Sequence, residues 1–185
     1  MKFLIILLSI LSFKLQAQNK SDVYQADLSS SIITWTGHAQ AGTYSPQGTL
    51  RLKSGTLSIK NGKLLAAKII VDMESLKHEK PDLQNHLKDK DFFDVKKYPE
   101  AIFTLKRVKG TIAYGELTVK GISQPVNFPF NLVKSGDALV LKANLSVDRT
   151  KFNIKYNSTS FFQDLGNYAI RNEFELTVNC IFLPK

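Results

Sequence analysis

Few residues in this chain have types that could do chemistry. The three histidines are His38, His78 and His86, and Cys180 is the single cysteine. His78 and His86 stand among Lys77, Lys80 and Lys88, a setting that disfavours a bound cation. No set of Cys, His and carboxylate ligands at matched spacing accompanies them, so structural or surface histidines are expected and no metal. Asp89, Asp91 and Asp94 could supply the paired carboxylates of a glycoside hydrolase. Lys88, Lys90, Lys96 and Lys97 interleave them, and a solvated, ion-paired turn is the simpler reading. Arg149 is the polar side chain to place near a ligand headgroup, with a structural salt bridge as the equal alternative. Cys180 falls in an alternating apolar run and reads as a buried thiol. No nucleophile elbow, phosphate loop or dinucleotide fingerprint occurs, so no enzymatic activity and no cofactor are expected.

The elements that would position these groups are mostly strands. Residues 83–103 (LQNHLKDKDFFDVKKYPEAIF) are the exception. Leu83 and Leu87, four apart, share a helix face, whereas Ala101, Phe103 and Leu105, two apart, share a sheet face. A short helical insert around 80–90 therefore hands over to a strand after Pro99. Phe92 and Phe93 sit in the handover, where they could plug one mouth of a β structure.

Elsewhere the period is two. Ser31–Thr36 reads as the first strand, after a polar arm over 18–30. Thr49–Leu52 and Thr56–Ile59 read as short strands parted by Ser54-Gly55, and Asn61-Gly62 is a hairpin signal leading into Leu64–Met73. Ala101–Val108 turns at Lys109-Gly110 into Thr111–Val119, and Lys120-Gly121 leads into Pro125–Val133. Val126, Phe128, Phe130 and Leu132 fall on one face. So do Leu139, Leu141, Ala143, Leu145 and Val147, and then Phe174, Leu176, Val178, Cys180 and Phe182. About eight short strands with glycine turns indicate an all-β antiparallel sandwich or barrel. Such a barrel is either packed solid or holds one small ligand, and period alone leaves both open.

Residues 1–17 have the layout of a secretory signal peptide: a basic start, an apolar core and Ala17 before the cleavage point. Residues 18–185 would then be a single domain, periplasmic or secreted. The formal net charge is +9 for the whole chain, spread without a block of like charges. With no stacking motif or reading helix, nucleic acid is not an expected partner, whereas contact with an anionic envelope surface is. Oligomeric state is left open, a dimer included.

Three runs resemble the YceI-like family: NHLKDKDFFDVKKYPEAIF (85–103), GELTVKGISQPV (115–126) and DRTKFNI (148–154). Their order and spacing agree across roughly 24–182, with the Trp35–His38, Ser45–Gly48 and Asp148–Ser158 segments marking a divergent branch. The resemblance implies an eight-stranded antiparallel lipocalin-like barrel, exported, holding a polyisoprenoid lipid or quinone in an apolar pore. It also implies that His86 pins the helical insert through hydrogen bonds. The inward residues assigned to the pore wall are Ile33, Trp35, Ile69, Val71, Phe92, Phe93, Phe103, Leu105, Leu117, Phe128, Phe130, Leu141, Phe152, Phe174 and Leu176. A pore filled by side chains such as Trp35 and Phe162, with function moved to the surface, is the rival reading.

Overall fold

The structure, a computed structural model, describes residues 21–185; the expected signal segment lies outside them. In chain order the strands are β1 (Asp22–Ala26), β2 (Ile32–Thr36), β3 (Gln47–Lys60), β4 (Lys63–His78), β5 (Glu100–Lys109), β6 (Ile112–Val119), β7 (Ile122–Ser135), β8 (Ala138–Asp148) and β9 (Glu173–Pro184). The helix α1 (Pro81–Lys88) joins β4 to β5, and a 3-10 turn spans Arg149–Phe152.

Every neighbouring pair is antiparallel. Strands β4 to β9 run in sequence order, β3 pairs with β4, and β1 and β2 both lie between β9 and β3. The segments β1 and β2 thus make one interrupted stave, and the result is a closed eight-stranded barrel. Closure removes the free sheet edges that an open sheet would present.

The polar arm expected over 18–30 instead contains strand β1, and the stave breaks only after it, over 27–31. The chemistry of that break explains the difference. Asp27 accepts hydrogen bonds from the Ser29 hydroxyl and from the Ser29 and Ser30 amides, which curls the chain out of the ladder. Ser31, wholly buried, stands in for the lost backbone pairing: its hydroxyl accepts from the Ile181 amide at 3.0 Å and donates to the Ile181 carbonyl. The expected break at Ser54-Gly55 is instead a continuous β3 with register shifts against β4, so bulges bend the strand without ending it.

Connections sort by end. Tight turns at 61–62, 110–111 and 136–137 close the lower end. Asn61 and Gly62 there both have positive φ, as a two-residue hairpin turn requires. The upper end carries the long connections 37–46, 79–99 and 149–172, and the turn 120–121. Helix α1 starts with Pro81 in its first turn, where no donor is lost, and stops where Asp89 becomes extended.

Candidate functional site

A cavity of about 370 Å³ lies in the upper half of the barrel, within the range of small-molecule sites. Its floor and walls come from Ile33 and Trp35 on β2, Val71 and Met73 on β4, Leu117 and Val119 on β6, and Phe174 and Leu176 on β9. Its lid is the insert: Leu83, His86 and Leu87 share one face of α1, and Phe92 and Phe93 follow. The mouth is edged by Tyr44 from 37–46 and by Tyr156 and Tyr168 from 149–172. The wall is almost wholly apolar, so it can hold a hydrocarbon body but offers few groups to orient a polar one.

Trp35 does not cross the pore. A methyl group on Gly48 would lie 2.5 Å from the indole, so the ring is folded flat against β3 at a position where only glycine fits. Phe162, the other suggested filler, is exposed. The upper pore stays open for that reason.

The lid is held by groups far apart in sequence. Between Leu87 and Tyr98 the backbone makes successive tight turns, with the amides of Phe92 and Asp94 donating to the Asp89 carbonyl and that of Val95 to Lys88. The Lys120 ammonium donates to the carbonyls of Lys90 and Phe92 at 2.7 and 2.8 Å. Beside it, Gly121 (φ 74°) lies so close under the Tyr98 ring that a Cβ would stand 2.8 Å from it. Arg149, 2% exposed, places its guanidinium 5.6 Å from the centre of the Phe92 ring.

Arg149 is a clamp. Its N–H groups donate to the main-chain carbonyls of Arg171, Ile154 and Ile170, at 3.1, 2.8 and 3.1 Å, with no salt bridge. Such charge-assisted bonds fold the 149–172 connection over the mouth. Burial lowers the pKa of the guanidinium, and Asp148 and Glu173 oppose that shift. Among the described residues it makes no ion pair, and it is one of the few polar side chains lining the cavity.

A protein-family comparison matches the YceI-like domain over residues 24–182. The chain belongs to the YceI-like family. A UPF0312 protein of Pseudomonas putida is 38% identical over 88 residues, 44% of this chain and 46% of that protein. One from Yersinia enterocolitica is 30% identical over 88 residues. The chain thus spans about half the length of the curated relatives it matches. Among solved structures, BcnA of Burkholderia cenocepacia superposes with a TM-score of 0.70 at 20% identity, covering 84% of this chain and 98% of that one. A polyisoprenoid binding domain from Saccharophagus degradans superposes at 0.65 and 12% identity, covering 88% and 98%.

The three runs that resemble YceI-like proteins have a common physical centre. The Phe92 backbone is held by Lys120 of the second run, and the Phe92 ring is faced by Arg149 of the third. In this chain the three runs meet at one lid.

Of the fifteen residues assigned to the pore wall, Ile33, Trp35, Val71, Phe92, Phe93, Leu117, Phe174 and Leu176 line the cavity. Ile69, Phe103, Leu105, Phe128, Phe130, Leu141 and Phe152 do not. Phe103 and Phe128 pack ring to ring, 5.2 Å between centroids, lower in the barrel. Ile69, Leu105 and Leu141 are buried with them, Phe130 is partly buried against that core, and Phe152 is buried in the 3-10 turn. The alternation correctly turned the strand residues among them inward, but it carries no information about height along the pore. Met73 lies on the expected strand, on the face of Val71, but was not assigned to the wall. Leu76 was missed because β4 runs on past the expected end, and the mouth tyrosines because loops have no period.

The polar candidates scatter. Nδ1 of His38 lies 3.0 Å from the Ser45 hydroxyl, His78 accepts from the Lys80 amide, and His86 packs edge-on to Tyr156 at 4.5 Å. The expected hydrogen bond from His86 to the insert is replaced by this ring contact, and its Nε2 has no partner. Asp89 and Asp91 are exposed and Asp94 is half-buried, and none makes an ion pair. Asp94 instead takes a left-handed turn, and its main-chain carbonyl accepts from the Lys97 and Tyr98 amides. Among the described residues no three His, Cys, Asp or Glu side chains could together hold a metal ion.

Proposed function

We propose that this chain binds a hydrophobic lipid of isoprenoid type in the upper cavity and sequesters or carries it within the cell envelope, without covalent chemistry. One observation carries the reading: an apolar cavity of about 370 Å³ roofed by a lid that the family's sequence blocks hold in place. Each methylene of a tail moved from water into such a wall contributes about 0.8 kcal/mol, so a long tail binds tightly with little polar recognition. The solved relative from Saccharophagus degradans named as a polyisoprenoid binding domain supports the ligand class. The composition of residues 1–17 supports export.

Native mass spectrometry of the protein purified from its own envelope, followed by organic extraction, tests this. A discrete adduct that releases an apolar species with isoprene-spaced fragments is expected. A clean apo mass, with no uptake of added quinones or prenyl lipids, refutes lipid carriage and directs attention to the barrel surface.

A further inference from the structure

Four aromatic rings stand in water at the upper end. Tyr168 is 79% exposed, Tyr44 55%, Phe162 49% and Phe161 47%. They lie on the connections 37–46 and 149–172, which are tied together at the mouth. Ala39 bridges to Ile170, the Gln40 amide donates to Ala169, and the Arg171 amide donates to His38. Tyr44 and Tyr168 also line the cavity and so form the rim of its mouth, and Phe161 and Phe162 lie on the same 149–172 connection as Tyr168. The exposed apolar groups of the lower end, such as Val133 and Leu183, are aliphatic.

Cations accompany the rings. The Lys155 ammonium lies 4.6 Å from the centre of the Phe161 ring, and that of Lys80 lies 6.0 Å from Tyr44. Leaving out the buried Arg149, connections 37–46, 79–99, 120–121 and 149–172 carry nine Lys and Arg against six Asp and Glu. Glu79 and Asp164 are the acids nearest the rim in sequence, and Glu173 and Glu175 follow on β9. Aromatic rings settle at membrane–water interfaces, and flanking Lys and Arg are drawn to anionic headgroups.

We propose that this rim docks on an anionic lipid bilayer, its rings in the headgroup layer and the cavity mouth turned to the membrane. The inference rests on the lipid-binding reading in one respect: a water-insoluble ligand entering this mouth has a bilayer as its source. Charge complementarity and the confinement of exposed aromatics to the rim are independent of it.

Flotation of the full chain with phosphatidylcholine vesicles, with and without a third of phosphatidylglycerol, tests the proposal. Binding to the anionic vesicles is expected, weakening about tenfold as salt shortens the Debye length from ~10 to ~3 Å. The double variant Phe161→Ser, Phe162→Ser partitions about tenfold less, for two rings lost from the interface. Val133→Ser with Leu183→Ser, the same number of apolar groups removed from the lower end, binds as the parent does. The absence of flotation with either vesicle, or equal weakening by the lower-end pair, overturns the proposal. So does sedimentation as a dimer that Phe161→Ser, Phe162→Ser dissociates while vesicle binding stays nil, which would assign the rim to a second copy. Uptake of a short soluble prenyl probe, measured alongside, separates the two readings. Uptake without flotation removes the docking and leaves the cavity reading intact. Flotation without uptake supports the docking and removes the cavity reading.

Discussion

At the lower end of the barrel Leu57, Cys180 and Phe182 meet with no more than 1% exposure, whereas at the upper end Phe93, Phe174 and Leu176 stay only partly buried around open space. The same strands supply both ends, with the same alternation of inward and outward side chains. The difference lies in what caps them. Two-residue turns bring the strands straight back at the bottom, and neighbouring rings fill the pore: Phe182 presses on Gly55, and Phe103 on Gly115. Long connections at the top carry their own apolar residues and roof the pore without filling it. Volume in this fold is set by the connections, and strand pattern sets only direction.

The sharpest way to break that contrast is to truncate one ring at each end. Phe182→Ala should cost about 3–5 kcal/mol in denaturant unfolding whether or not ligand is present, because it leaves a cavity in packed core. Phe174→Ala should cost less in the empty protein and show much of its loss only when lipid is bound. Equal, ligand-independent losses would mean that the upper half is packed as well.

Gly48→Ala comes next. The new Cβ would stand 2.0 Å from the Lys77 carbonyl and 2.5 Å from the Trp35 ring, so strand or indole must move. A loss of about 2–3 kcal/mol is expected, as for an overpacked core. Trp35 is the single tryptophan, so its emission should shift in the same variant. An unchanged spectrum would contradict the placement of the ring on the wall.

Lys120→Met removes the two hydrogen bonds that hold the lid, with a smaller expected loss of about 1–3 kcal/mol. Release of a bound lipid should accelerate by more than the change in global stability accounts for, since the lid alone is loosened. A change in stability with no change in release would make Lys120 a plain structural tie.

The smallest effect is at the packed end and depends on pH. Burial pushes the Cys180 thiol up to about 11 from 9.0, and a hydrogen bond with Ser31 partly opposes it. Its folded pKa lies above its unfolded one, so its contribution is intact below pH 9.0 and is lost as pH rises through about 11. The gap in unfolding midpoint between the parent and Cys180→Ala should be constant below pH 9.0 and narrow across that window. A thiol reagent should react with the native protein no faster than it unfolds.

How much of this was legible in the residues varied with the element. Inward faces of β7, β8 and β9 could be read because each alternates without a bulge over many residues. Helix α1 could be read because Leu83 and Leu87 share its face. The segment β1 could not: DVYQA has no strong pattern, and the Ser31 hydroxyl that carries the ladder across the break acts through a contact 150 residues away. Within the site, Phe92 and Phe93 were found from their setting. The mouth tyrosines, and the division of the Phe residues between cavity wall and lower core, depend on loop paths and on height along the pore. Neither leaves a periodic trace.

The interrupted first stave has a consequence for assembly. Hairpins from β3 to β9 pair neighbours in sequence and can form early, but β1 and β2 join β3 to β9 across nearly the whole chain. Pairings of such long separation form slowly. Until the last strand arrives, the β1–β2 stave and β8 are both bare edges, open to any other extended chain. The chain is therefore most vulnerable to aggregation just before it is finished, and a partner that shields those two edges would protect it during that interval.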